Sequence, residues 1–144
     1  MVRAAAFVLG LCLCLALPTG PVAGDIRPTE AGPVEIVPVV TGLDGPWAVG
    51  FLPGEGLLIT EIAGRLVHVA PDGARTEVAG VPEVRAAGQG GLLDLLVPGD
   101  FAERREIFLS FAMPQGGAAR TAVARARLSE KAARPEDVEV TWSM

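Results

Sequence analysis

The sequence predicts an all-β chain, a partial β-propeller of about two four-stranded antiparallel blades. Three observations predict it. From Val34 onward, short β-rich runs alternate with turns that carry glycine or proline. No long segment shows the 3.6-residue apolar period of a helix. Finally, "PWAVGFLPG" from Pro46 to Gly54 can be laid on "GLLDLLVPG" from Gly91 to Gly99, a recurrence of 45 residues, close to the roughly 40 to 50 of one propeller blade.

Taken in order, residues 1–24, "MVRAAAFVLGLCLCLALPTGPVAG", have the layout of a signal peptide: Arg3, an apolar run from Ala4 to Leu17, and small residues ending near Ala23 and Gly24. The run is shorter than the roughly 20 residues of a spanning helix, so the expectation is export to the periplasm or medium, with no membrane span once the leader is removed. Residues 25–33 form a lead rich in Pro, Gly and Thr, read as flexible, and residues 34–144 the incomplete propeller. "VEIVPVV", Val34 to Val40, reads as a strand ahead of the first blade, with Pro38 suiting an edge and the pairing partner expected beyond Met144.

The first blade then takes strands at Pro46 to Leu52, Leu57 to Ile62, Arg65 to Ala70 and Arg75 to Ala79. The second takes Gly91 to Val97, Glu106 to Ala112, Thr121 to Leu128 and Val138 to Trp142. Between them, Pro53-Gly54-Glu55-Gly56, Ala63-Gly64, Pro71-Asp72-Gly73 and Pro114-Gln115-Gly116-Gly117 supply the preset or positive φ of tight turns. Two blades cannot close a ring, because a repeat array needs about three units to bury its faces. The open edges would favour self-association.

Charge and cysteine content narrow the partners. With 12 Lys+Arg against 17 Asp+Glu the formal charge is -5, which argues against nucleic acid, since that needs a clustered basic surface. Both cysteines, Cys12 and Cys14, fall in the expected leader, so the processed chain would rely on packing rather than disulfides or Cys-bound metal.

The residues that could carry chemistry centre on "AAGQGGLLD". Gly88, Gly90 and Gly91 permit close backbone approach or positive φ, and Gln89 offers both donor and acceptor groups to a polar ligand. The same loop also reads as an ordinary inter-blade connection. His68, in "RLVHVA", shares a strand face with Leu66 and reads as a structural histidine. Glu61 and Asp94 lie among apolar neighbours, where buried carboxylates need partners; bracing of strands is the favoured role, with Arg65 the natural partner of Glu61. Trp47 starts an inner strand and is expected in the core. Arg120, Arg125, Arg127, Lys131 and Arg134 are interspersed with Glu130, Glu136 and Asp137, the pattern of a solvated surface.

The Pro46-Trp47-Ala48 strand start, Thr60-Glu61-x-x-Gly64-Arg65, and Gly88-Gln89-Gly90-Gly91-Leu92-Leu93-Asp94 together resemble the amino-terminal part of the soluble pyrroloquinoline quinone (PQQ)-dependent aldose sugar dehydrogenases, the glucose/sorbosone dehydrogenase family. The resemblance runs from about Val34 to the end. It implies a six-bladed propeller with PQQ near its axis, calcium bound to the quinone, and an aldose substrate. It also implies that Gln89 is an active-site glutamine beside cofactor and substrate. In that family a histidine takes the sugar's anomeric proton while hydride passes to the quinone, and an imidazole suits this because it titrates near neutrality. His68 does not match that histidine, which falls in a histidine-glycine motif beyond Met144. Ile62 and Pro98-Gly99-Asp100 depart from the family pattern, which has a basic residue and a His-Pro-Asp turn there. The reading is therefore a fragment of an exported quinone-dependent sugar oxidoreductase, inactive alone. The alternative is a non-catalytic secreted propeller segment that binds a partner or self-associates. A calcium-dependent lactonase-like propeller would need acidic or Asn ligands, and the chain contains no Asn.

Overall fold

A computed structural model describes residues 25–130 and 134–144. The expected leader, residues 1–24, lies outside the described residues. Two units are distinct, one ending at Val39 and one running from Val40 to Met144.

In the first unit, β1 (Asp25–Thr29) pairs antiparallel with β2 (Gly32–Ile36). This corrects two expectations. Part of the Pro/Gly/Thr-rich lead, Asp25–Thr29, is itself a strand, and the strand expected at Val34 to Val40 runs instead from Gly32 to Ile36, with β1 on one of its edges. Glu30 and Ala31 make a two-residue turn, Gly32 takes φ 117°, and the Thr29 hydroxyl donates to the Gly32 carbonyl at 2.6 Å. A loop this short costs little closure entropy, which favours this local pairing.

The second unit holds two four-stranded antiparallel sheets, each a simple meander. The first is β3 (Pro46–Leu52), β4 (Gly56–Glu61), β5 (Arg65–Val69) and β6 (Arg75–Glu77). The second is β7 (Leu92–Leu96), β8 (Glu106–Gln115), β9 (Ala118–Leu128) and β10 (Pro135–Ser143). These are two blades of a partial propeller, as the 45-residue recurrence predicts. Strands β8 and β9 run about three residues further toward their Gly116-Gly117 turn than the sequence suggests, the ladder continuing through Pro114↔Ala119. One helical turn, α1 (Phe101–Arg104), sits between β7 and β8. It was not expected; Phe101, 1% exposed, holds it in the core.

The inner strands β3 and β7 run side by side in the same direction. At their starts Ile62 serves both, its N–H donating to the Gly45 carbonyl at 2.9 Å and its carbonyl accepting from Leu92 N–H at 3.1 Å. At their far ends Glu55, in the turn after β3, meets Arg105, between α1 and β8. Gly50 brings the two strands together: a side-chain carbon there would meet Val97 Cγ2 at 2.8 Å and Leu95 Cδ2 at 2.9 Å.

The core is the seam between the blades. Alternation sends Leu52, Leu58 and Leu66 of the first blade toward Leu92, Leu95, Ile107, Leu109 and Phe111 of the second, backed by Ala122, Ala124, Ala126 and Leu128.

Trp47 departs from expectation: it is 55% exposed, with Val49 and Phe51 beside it. The even positions of β3 point into the seam, so its odd positions point away from it. A bulge between Pro46↔Glu61 and Ala48↔Thr60 leaves Trp47 without a cross-strand partner.

Candidate functional site

The loop from β6 to β7 carries Gln89 to the end of the blades where β3 and β7 begin. Its conformation follows from its glycines. Gly90 N–H donates to the Ala87 carbonyl at 3.0 Å, closing a turn in which Gly88 takes φ 61°, a region glycine occupies at no steric cost. Gly90 is needed for another reason: a side-chain carbon would crowd Ala112 Cβ and the Arg85 carbonyl, both at 3.0 Å. The loop is fastened beneath by Arg85 N–H to Ala112 O and Ala112 N–H to Gly91 O, each 2.8 Å.

On this rigid footing the Gln89 side chain is exposed. Its amide has no hydrogen-bond partner among the described residues. An amide held so can donate to and accept from a polar ligand at the same time. Around Gly88 the space is open, so approach is unhindered on that side.

Other residues singled out from the sequence fall elsewhere. His68 is buried and its Nε2 lies 2.7 Å from the Glu55 carbonyl oxygen. It points into the seam from β5 at the opposite end of the blades, about 15 to 20 Å from the Gln89 loop at 3.3 Å per strand residue. The two residues therefore cannot share a ligand.

Glu61 is 2% exposed and fully used: Arg65 Nε donates to one oxygen and Asp44 N–H to the other at 2.7 Å. It braces the entry to β3. Asp94 is exposed and caps its own strand bulge, its Oδ1 accepting from Leu95 N–H at 2.9 Å. Arg125 pairs with Glu139 at 3.0 Å and Arg134 with Glu136 at 3.5 Å, the dispersed surface pairing expected of that segment. Arg120 differs, because its Nε is buried with no partner.

A feature the sequence did not signal lies at the His68 end. A cavity of about 550 Å³ opens there between the blades, lined by Glu55, His68, Pro71, Thr76, Arg105 and Glu130. Arg105 spans the seam with two bonds to the Glu55 carboxylate, at 2.7 and 3.0 Å, and also donates to the Leu128 and Ser129 carbonyls, both at 2.9 Å. Its guanidinium lies 5.1 Å from the centre of the Phe101 ring. The hydrogen bond from Arg105, reinforced by its charge, holds the Glu55 carboxyl below its ordinary range, and the same bond raises Arg105. Glu55 and Arg105 lie 50 residues apart in sequence, and nothing in either local pattern marks them as partners.

Comparison with known proteins agrees with the blade architecture. The Glucose / Sorbosone dehydrogenase family pattern matches residues 43–144, both blades together. The chain is similar to the aldose sugar dehydrogenase YliI of Escherichia coli (strain K12), with 44% identity over 103 residues that cover 69% of this chain and 28% of that protein. Among solved structures it is similar to a glucose dehydrogenase at 50% identity and TM-score 0.68, covering 71% of this chain and 30% of the other. It is also similar to the PQQ-bound form of an aldose sugar dehydrogenase from Streptomyces coelicolor at 25% identity and TM-score 0.66, covering 87% and 36%. The chain thus spans about a third of the length of these relatives. With two blades of matching fold and a family pattern running across both, the chain belongs to the glucose/sorbosone dehydrogenase family.

Proposed function

We propose that this chain supplies the Gln89-bearing wall of an exported quinone-dependent oxidoreductase that acts on aldose sugars. The observation that carries the reading is the exposed, unpartnered Gln89 amide, held on a fastened loop at the end where the inner strands begin. Similarity to a PQQ-bound aldose sugar dehydrogenase supports the quinone, and similarity to the E. coli aldose sugar dehydrogenase supports the sugar.

The residues present fit a quinone as one contributing wall. The amide can donate to a quinone or sugar oxygen and accept from a sugar hydroxyl, and the Gly88 side leaves room for either. A bound quinone would supply the hydride-accepting chemistry; Gln89 would orient and polarise what lies against it. Calcium is not assigned to this chain's side chains, because no three His, Cys, Asp or Glu groups converge to hold a metal among the described residues. The chain's one histidine is committed at the other end, so no imidazole is available at the Gln89 end to take a proton. The chain alone is therefore expected to be inactive.

The test joins this chain to the remaining blades of the E. coli relative. In that completed ring, Gln89→Ala is expected to lower kcat/KM severalfold to about tenfold, the worth of one ligand hydrogen bond of about 0.5–1.5 kcal/mol. The urea midpoint should not move, since the amide makes no internal bond. An unchanged kcat/KM would reduce the loop to an ordinary inter-blade connection. Turnover by the unjoined chain with quinone, calcium and aldose would show that a base has been overlooked.

A further inference from the structure

The cavity between the blades at the His68 end has no part in the redox reading, and its walls are rich in one kind of group. On the first blade His68 and Thr76 are cross-strand partners on β5 and β6, so their side chains stand side by side on one face, and both line the cavity. A carbonyl oxygen can only accept, so in its 2.7 Å contact with the Glu55 carbonyl the His68 Nε2 carries a proton. The neutral ring is then left with Nδ1 as an acceptor, and among the described residues nothing donates to it. The Thr76 hydroxyl, on an exposed residue, likewise has no partner among the described residues.

The charged groups add acceptors. Each oxygen of the Glu55 carboxylate takes one bond from Arg105 and keeps a further lone pair; the side chain is 32% exposed, so a ligand can still reach it. Glu130 brings a second, exposed carboxylate to the lining. Arg105 has little to offer in return, because four of its five N–H donors are already committed to Glu55, Leu128 and Ser129.

This donor set decides what the cavity can hold. Two carboxylates beside one committed guanidinium disfavour an anion. No three His, Cys, Asp or Glu groups converge for a metal ion among the described residues. What the walls lack is hydrogen-bond donors, and their charge is one negative in excess with the imidazole neutral. The volume of about 550 Å³ lies in the range of small organic ligands, roughly 300–1,000 Å³, and Ala70 and Pro71 give hydrocarbon a surface to lie against.

We propose that this cavity is a binding site for a small organic amine, whose ammonium group donates to His68 Nδ1, the Thr76 hydroxyl and the Glu55 carboxylate, with Glu130 balancing its charge. Charge-assisted bonds of this kind are stronger than neutral ones, so the ammonium group anchors the ligand and the apolar part selects by shape. Every wall belongs to the two blades of this chain, so the site stands or falls apart from the Gln89 reading.

Nuclear magnetic resonance of the full chain tests it, because the single histidine makes the imidazole proton resonances a reporter of this cavity alone. At constant pH, n-butylamine is expected to shift them saturably. Butan-1-ol, similar in shape but uncharged, and butyrate, opposite in charge, should bind at least about tenfold more weakly. Glu130→Gln and Thr76→Val alter exposed side chains and keep the reporter; each should weaken butylamine binding severalfold while the urea midpoint stays in place. Absence of a shift, equal binding of butan-1-ol, or tighter binding of butyrate would each overturn the proposal. A butylamine affinity unchanged in both variants would overturn it too, since the amine would then be held elsewhere.

Discussion

At Gly91 one added carbon would be blocked by backbone. A side chain there would stand 2.0 Å from the Ile62 carbonyl oxygen, and Gly91 sits at φ 155°. That carbonyl already accepts the Leu92 N–H bond that ties β7 to the first blade, so it cannot move away without breaking the seam. Gly91→Ala is therefore expected to destabilise the fold by about 1–3 kcal/mol, the usual range for forced overpacking. Urea unfolding followed by the fluorescence of Trp47 and Trp142 measures it. Gly88→Ala, where the space is open, meets only the backbone penalty of positive φ, about 1 kcal/mol. The sequence marks "GQGG" as a special loop, but not which glycine serves which purpose. Gly90 and Gly91 are forced by Ala112 and Ile62, residues far enough away in sequence that only the packed blades bring them near.

Between elements, two contacts hold the blades together at opposite ends. Thr60→Val keeps the shape of the side chain yet leaves Ala48 N–H and the Leu93 carbonyl without their bonds to the Thr60 hydroxyl, and the expected cost is about 1–3 kcal/mol in urea unfolding. The Glu55–Arg105 pair makes stability depend on pH. Because Glu55 titrates below its ordinary value of 4.5 when folded, its contribution is complete above that value and is lost as pH falls through the lower folded one. The urea midpoint of the parent chain should thus drop more steeply below about pH 4.5 than that of Glu55→Gln, and the two should run parallel above pH 6. Equal slopes throughout would mean the pair contributes nothing. The strand segments themselves were legible because alternation and turn residues are local. The hairpin of β1 and β2 was misread for a related reason: alternation identifies a strand but does not name its partner.

For the molecule as a whole, the expected leader makes a direct prediction. Expressed in a bacterium with its own amino terminus, the protein should be recovered from the periplasm or medium, and intact mass should place its first residue near Asp25. Recovery of the full-length chain in the membrane fraction would show an uncleaved anchor instead. Among the described residues no helix is long and apolar enough to cross a membrane. The processed chain would contain no cysteine, and its unfolding midpoint should not respond to reductant.

By itself the sequence determined the blades. Their strands, turns and 45-residue recurrence are written in periodicities of two and in glycine and proline positions, which act over a few residues and can be read there. It also marked Gln89 as the residue to watch. Only the tertiary structure decided that Trp47 faces outward, that Glu55 and Arg105 lock the seam, and that His68 lies a strand's length from Gln89. Each of these depends on which face of one sheet meets another. A bulge that shifts a strand by one residue reverses every face beyond it, so those relations become visible only when the sheets are packed.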